Sequence, residues 1–128
     1  MSDAIDLIRQ FCDEWSHGPN VDAIVGYFTD DAVYHNIPVD PVVGPDAIRN
    51  MIAMFTTGID KMEFRVLNIA AVGDVVMTER VDVFTYPTFT VELPVMGTFE
   101  VREAKIAKWR DYFDLNQYMT QVQAGTGS

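Results

Sequence analysis

Cysteine is almost missing from this chain of 128 residues: only Cys12 is present, so no intrachain disulfide can form and no cysteine cluster can hold a metal. Histidine is nearly as scarce. His17 and His35 stand apart without a second histidine at ligand spacing, and no metal-binding signature accompanies them, so both read as surface or packing residues. Positive charge is thin, with 9 Lys plus Arg against 19 Asp plus Glu and a formal net charge of -10. That balance opposes binding to nucleic acid or to an anionic membrane, gives no sign of a phosphate-rich ligand, and is ordinary surface acidity that favours solubility. No apolar run approaches the ~20 residues of a membrane helix, and Met1-Ser2-Asp3-Ala4 places an acid where a secretion signal carries bases. No internal repeat or low-complexity tract occurs. The expectation is a soluble, cytoplasmic protein.

What the chain does have is apolar residues, 48% of the total, in patterns that change midway. Its length fits one domain, 1–128, with a real core. Ala4, Ile5, Ile8, Phe11, Cys12 and Trp15 recur at helical spacing up to Gly18-Pro19. A second short helix capped by Asn20 is expected, its stripe formed by Ile24, Val25, Tyr27 and Phe28, ending near Thr29-Asp30-Asp31. Pro45 opens a third helix that Gly58 closes, with Ile48, Met51, Ile52 and Phe55 facing inward. From Met62 the period becomes two, and turn residues divide the remainder into four strands: Met62 to Val72, Val75 to Tyr86, Phe89 to Arg102 with an interruption or edge near Pro94, and Lys105 to about Leu115. The tail from Ala124 to Ser128 is expected to fray. Helices followed by an antiparallel meander make an α+β fold, a curved sheet with the N-terminal helices packed across its concave face and a pocket left between them. The second strand is partly apolar on both faces, so a second copy is expected to cover the convex side as a homodimer.

Two strings break the apolar pattern: Thr78-Glu79-Arg80-Val81-Asp82-Val83 and Lys108-Trp109-Arg110-Asp111-Tyr112-Phe113-Asp114. Side chains alternate along a strand, so Val76, Thr78, Arg80, Asp82 and Phe84 share one face, and Asp111 shares its face with Trp109 and Phe113. A charge among apolar neighbours finds a partner or changes its protonation state. One guanidinium can bridge two carboxylates, and if one carboxyl is drier than the other their proton affinities separate into an acid and a base. A buried ion-pair network without activity is the competing reading at this level. Tyr34-His35-Asn36, if extended, points a phenol and a carboxamide the same way, enough to hold a water molecule; turn chemistry before Ile37-Pro38 is the alternative. Glu79, Arg110 and Asp114 read as rim or solvated positions, and the seven methionines as core or pocket filling.

These same residues carry a resemblance that spans about Ile5 to Met119. Thr78 to Val83, Gly97-Thr98-Phe99, Trp109 to Leu115 and Tyr34-His35-Asn36-Ile37-Pro38, which matches a Tyr-x-Asn-x-Pro pattern, together resemble the limonene-1,2-epoxide hydrolases, α+β cones of the fold shared with ketosteroid isomerase and nuclear transport factor 2. The resemblance implies addition of water to an epoxide in one step, without a covalent enzyme intermediate, metal or organic cofactor. Asp111 then corresponds to the general base that holds the water with Tyr34 and Asn36, Asp82 to the acid that protonates the epoxide oxygen, and Arg80 to the bridge between them. Trp109 contributes to the hydrogen-bonded surroundings. Strand parity and the resemblance together suggest Phe84, Leu93, Val95 and Phe113, with Trp109, as pocket lining for an apolar cyclic or terpene-like epoxide, narrowed by Phe84 and Met96. The rivals are an epoxide-opening cyclase or a ketosteroid-isomerase-like enzyme of the same fold, and a non-catalytic dimeric module that binds a small molecule.

Overall fold

A computed structural model describes residues 3–127; Met1, Ser2 and Ser128, which belong to the sequence reading of the two ends, lie outside the described residues. The first helix, α1 (Asp3–Trp15), buries Ala4, Ile8, Phe11, Cys12 and Trp15 on one stripe and carries Asp3 and Asp6 in its first turn, where the helix dipole favours anions. In α2 (Val21–Val25) the Asn20 side chain caps the N-terminus by accepting from the Ala23 amide at 3.1 Å.

Here the chain departs from the sequence expectation. The helix stops at Val25, and Phe28, assigned to its apolar stripe, instead starts a strand, β1 (Phe28–Asn36). Tyr27 and Phe28 fit a helical stripe and a strand equally well over so short a span. What decides is pairing with a strand 75 to 78 residues further along the chain, because Phe28 lies opposite Ile106 and Val33 to Asn36 lie opposite Lys108 to Asp111. The two-residue β2 (Val42–Val43) pairs with β1 on its other side. Gly44, at φ 89, turns the chain into α3 (Pro45–Phe55), with proline in the first turn, where no intrahelical donor is lost.

The period-two half folds as its alternation predicts. Strands β3 (Lys61–Val72), β4 (Val75–Thr85), β5 (Thr90–Arg102) and β6 (Lys105–Tyr112) form an antiparallel meander, and the complete order is β2-β1-β6-β5-β4-β3, with β1 parallel to β6. Strand β5 runs unbroken through Pro94, which lies beyond the last β5–β6 pair, Met96 with Tyr112, where the strand has a free side. The last strand is shorter than expected. It ends at Tyr112, and a fourth helix, α4 (Leu115–Thr126), follows, so Ala124 to Thr126 are helical rather than frayed. Asp114, read as a rim acid, is its N-cap and accepts from the Gln117 amide at 3.1 Å.

The core lies where α1 crosses the concave face of the sheet. Phe11 is fully buried and meets Trp15, Tyr27, Phe28, Phe99 and Trp109 edge-on at centroid distances of 5.1 to 6.0 Å. Burying each such side chain stabilises the fold by roughly 1.5–3 kcal/mol. This aromatic cluster forms the wall behind the ionisable residues of β4 and β6. Among the described methionines, Met62 fills the core and Met51 packs against it, while Met54, Met77, Met96 and Met119 are exposed.

Candidate active site

Strand parity delivers the charged residues to one place. On β4 the inner-face residues Val76, Thr78, Arg80, Asp82 and Phe84 are all buried, while on the other face Met77 and Glu79 are exposed and Val83 is buried. On β6 Trp109 and Asp111 are buried on the same inner face. Between these strands runs β5, whose Gly97 stands opposite both Thr78 and Asp111, so the Arg80 side chain reaches Asp111 over a residue with no side chain.

Arg80 is fully enclosed and grips both carboxylates. Its Nε and Nη2 donate to Asp82 Oδ1 and Oδ2 at 2.9 and 2.8 Å, and its Nη1 and Nη2 donate to Asp111 Oδ1 and Oδ2 at 3.2 and 2.8 Å. These are two forked, charge-assisted contacts on one planar cation. The face of the guanidinium is covered by the Phe64 ring, its carbon 4.7 Å from the centroid. The Trp109 indole N–H donates to Asp111 Oδ1 at 2.6 Å.

The electrostatics follow from this dryness. Burial alone opposes the charge on Arg80, but the facing Asp111 and Asp82 outweigh it and hold its pKa well above the usual value. For Asp82 the balance reverses: desolvation pushes its carboxyl up from 3.8 to about 6, against the attraction and hydrogen bonds of Arg80 and with a further rise from Asp111. Asp82 therefore keeps a proton at a pH where an exposed aspartate has lost it. Tyr34 is held protonated, its pKa raised by burial and by Asp111.

Strand β1, missed as a strand in the sequence, supplies the neighbours of Asp111. Asn36 is the parallel register partner of Asp111 and Tyr34 that of Trp109, with the Tyr34 and Trp109 rings stacked at 4.3 Å and 10°. The Tyr34 hydroxyl donates to Asn36 Oδ1 at 3.3 Å. His35 points away, its Nε2 2.9 Å from the Val39 carbonyl, and His17 lies exposed at the end of α1, 2.9 Å from the Asp13 carbonyl oxygen.

Asp82, Asp111, Tyr34 and Asn36 open together onto a cavity of about 230 Å³. Its remaining lining includes Phe84, Leu93, Val95 and Phe113. Trp109 and Met96 do not line it. Trp109 is fully buried behind Asp111, to which its N–H donates, and Met96 is 51% exposed because it neighbours Glu79 on the outer face. Sequence reasoning left out Phe55, Phe64 and Tyr118, which also form the walls. Phe64 was within reach of parity, since it lies opposite Asp82, whereas Tyr118 depends on α4, signalled only by Asp114 as a cap. Of the expected solvated positions, Glu79 is exposed and accepts from Asn68, and Arg110 is half-buried with Glu100 at 2.7 Å.

A curved, unclosed six-stranded sheet holding helices in its concavity defines the ketosteroid-isomerase-like class of fold. A Catenulispora acidiphila protein described as having that fold superposes with a TM-score of 0.80 at 19% identity, covering 91% of each chain, and a putative polyketide cyclase from Xanthomonas campestris pv. campestris gives 0.84 at 20%, covering 94% of this chain and 96% of that one. Within that class, the sequence model of the limonene-1,2-epoxide hydrolase catalytic domain matches residues 3–124, and the chain belongs to this family. Epoxide hydrolase EphG of Mycobacterium tuberculosis is 34% identical over 95 residues, 74% of this chain; the match spans 61% of that relative's length. The structure of a Mycobacterium tuberculosis epoxide hydrolase of limonene-epoxide-hydrolase type superposes with a TM-score of 0.82 at 26% identity, covering 98% of this chain and 92% of that one.

Proposed function

We propose that this protein adds water to an apolar cyclic or terpene-like epoxide in a single step, giving a vicinal diol. The observation that supports this most is the junction of two carboxyls on one buried guanidinium, both facing one apolar cavity, with Asp82 pushed up to about 6. Asp111 accepts a proton from a water that Tyr34 and Asn36 help to hold, and the water oxygen attacks an epoxide carbon. As that carbon–oxygen bond breaks, Asp82 delivers its proton to the departing oxygen. The cycle leaves the proton on Asp111 rather than Asp82, and transfer through solvent resets the pair. Arg80 stays charged throughout and keeps both carboxyls in register. Two positioned proton-transfer groups typically contribute on the order of 10²–10⁴-fold each.

Two of the rivals fit less well. An isomerase that relies on a carboxylic acid kept neutral at pH 7 and above is disfavoured, because Arg80 opposes the desolvation of Asp82 and its carboxyl rises only to about 6. An epoxide-opening cyclase, in which a substrate hydroxyl replaces water, would use the same aspartates and is told apart by its product, a cyclic ether in place of a diol. A purely structural network does not call for an open cavity at its carboxylates. Two copies pairing through the outer sheet face, where Met77, Met96 and Tyr112 are about half exposed, complete the proposed assembly, which light scattering at defined concentration tests. The activity is tested by incubating cyclic and terpene epoxides with the protein and with Asp82→Asn. Diol from the former and next to none from the folded variant supports the reading; no diol from any epoxide removes it.

A further inference from the structure

Arg80 makes five hydrogen bonds to acceptors in this protein, using every N–H of its guanidinium, and only four go to aspartate oxygens. The fifth acceptor is neutral: Nη1 donates to Thr78 Oγ1 at 3.2 Å. Thr78 is 1% exposed and shares the inner face of β4 with apolar Val76 and Phe84, so its hydroxyl answers to this guanidinium rather than to solvent.

Across the sheet, Gly97 stands between Thr78 and Asp111. Its backbone lies outside the left-handed region, so no turn requires a glycine here. The space above it does. A Cβ at this position meets Asp111 Oδ1 at 2.8 Å and Thr78 Oγ1 at 2.9 Å, and lies closer still to Arg80 Nη1. All three are side-chain atoms of the same cluster. The methyl group comes closest to Nη1, so it presses the guanidinium out of its place between the two carboxylates.

We propose that Thr78 and Gly97 are positioning residues that set the plane of the Arg80 guanidinium: Gly97 leaves the space over which it spans β4 to β6, and Thr78 fixes its rotation by taking the fifth N–H. Neither touches the substrate; both act through Arg80 on the forks to Asp82 and Asp111. For turnover the assignment rests on the epoxide-opening reading, but the placement of the guanidinium is testable without it. The ionisable groups around the guanidinium are Asp82 on its own strand, Asp111 of β6, Tyr34 of β1 and Cys12 of α1, whose thiol burial pushes up to about 12.

Thr78→Val, Thr78→Ser and Gly97→Ala separate positioning from packing. Valine keeps the shape of threonine and removes the acceptor; serine keeps the acceptor and removes a methyl. Positioning predicts that Thr78→Val and Gly97→Ala lower kcat by about tenfold to a hundredfold, the size of a lost charge-assisted hydrogen bond, with KM nearly unchanged, while Thr78→Ser stays within a few-fold of the parent. Packing predicts the opposite order, with valine harmless and serine costly, and that order overturns the proposal. Independently of any substrate, titration of ¹³C-labelled aspartate carboxyls by NMR reads the hold of Arg80 directly. The Asp82 midpoint moves upward in Thr78→Val and Gly97→Ala and stays in place in Thr78→Ser; unchanged midpoints in both of the first two overturn the proposal. A parent protein that opens no epoxide removes the functional reading, and the titration still decides the positioning. If Thr78→Val does not fold, the Gly97→Ala and Thr78→Ser pair decides in the same way.

Discussion

Raising the pH above 6 removes the proton that ring opening needs. Desolvation lifts the Asp82 carboxyl to about 6, so the protonated form persists to a higher pH than in an exposed aspartate and is lost as the pH passes that value. By simple titration about half of the molecules carry the proton at pH 6, about a tenth at pH 7 and about a hundredth at pH 8. Because kcat/KM reports groups on the free enzyme, it falls about tenfold for each pH unit above 6. The assay is initial-rate diol formation at substrate well below KM, from pH 5.5 to 8.5, with circular dichroism confirming an intact fold at each pH. Asp82→Asn retains the shape of the side chain and can donate a hydrogen bond, yet cannot give up a proton. It drops the rate by on the order of 10²–10⁴-fold and abolishes the basic limb. A profile level from pH 6 to 8.5, or the same limb in Asp82→Asn, refutes the assignment of Asp82 as the acid.

Three further outcomes follow from the geometry. Asp111→Asn keeps an acceptor for Trp109 Nε1 and Arg80 Nη1 on its amide oxygen, loses the one for Arg80 Nη2, and cannot take a proton from water, so turnover falls by on the order of 10²–10⁴-fold while the far-ultraviolet circular dichroism spectrum is unchanged. Phe11→Ala empties the centre of the aromatic cluster and destabilises the fold by about 3–5 kcal/mol in urea unfolding, a large share of the 5–15 kcal/mol typical of such a domain. Gln121 clasps α4 to the free side of β5, its Oε1 accepting from the Glu92 amide and its Nε2 donating to the Glu92 carbonyl, both at 2.8 Å. Because α4 buries no residue fully and supplies Tyr118 to the cavity, Gln121→Ala speeds amide exchange throughout α4 and raises KM with little change in kcat.

The parts of this molecule that are legible in the sequence are those where local pattern and burial agree. The meander from Lys61 to Tyr112 shows as alternation, which puts Arg80 with Asp82 on one face of β4 and Asp111 with Trp109 on one face of β6, whereas the register through β5 is what makes these the same inner face. Strand β1 is not legible in this way. Asp30 and Asp31 are exposed and blur its period, and what makes it a strand is a parallel partner far along the chain. Tyr34 and Asn36 can be picked out as a pair, but their register against Trp109 and Asp111 cannot. Helix α4 is hidden because its apolar face is weak and its start overlaps the end of a strand, leaving the Asp114 cap as its one clear signal. Met96 is misplaced for a simpler reason: it alternates with Val95, and only the pairing to Glu79 shows which of the two faces inward.

The most direct test of the whole account is a single turnover in ¹⁸O-labelled water with enzyme in excess over epoxide, followed by mass spectrometry of the first diol formed. Attack by a water held at Asp111, Tyr34 and Asn36 places the label in that first diol. An unlabelled first diol, with ¹⁸O appearing only after the protein has turned over once, means that an aspartate oxygen attacked the carbon, and contradicts the one-step mechanism.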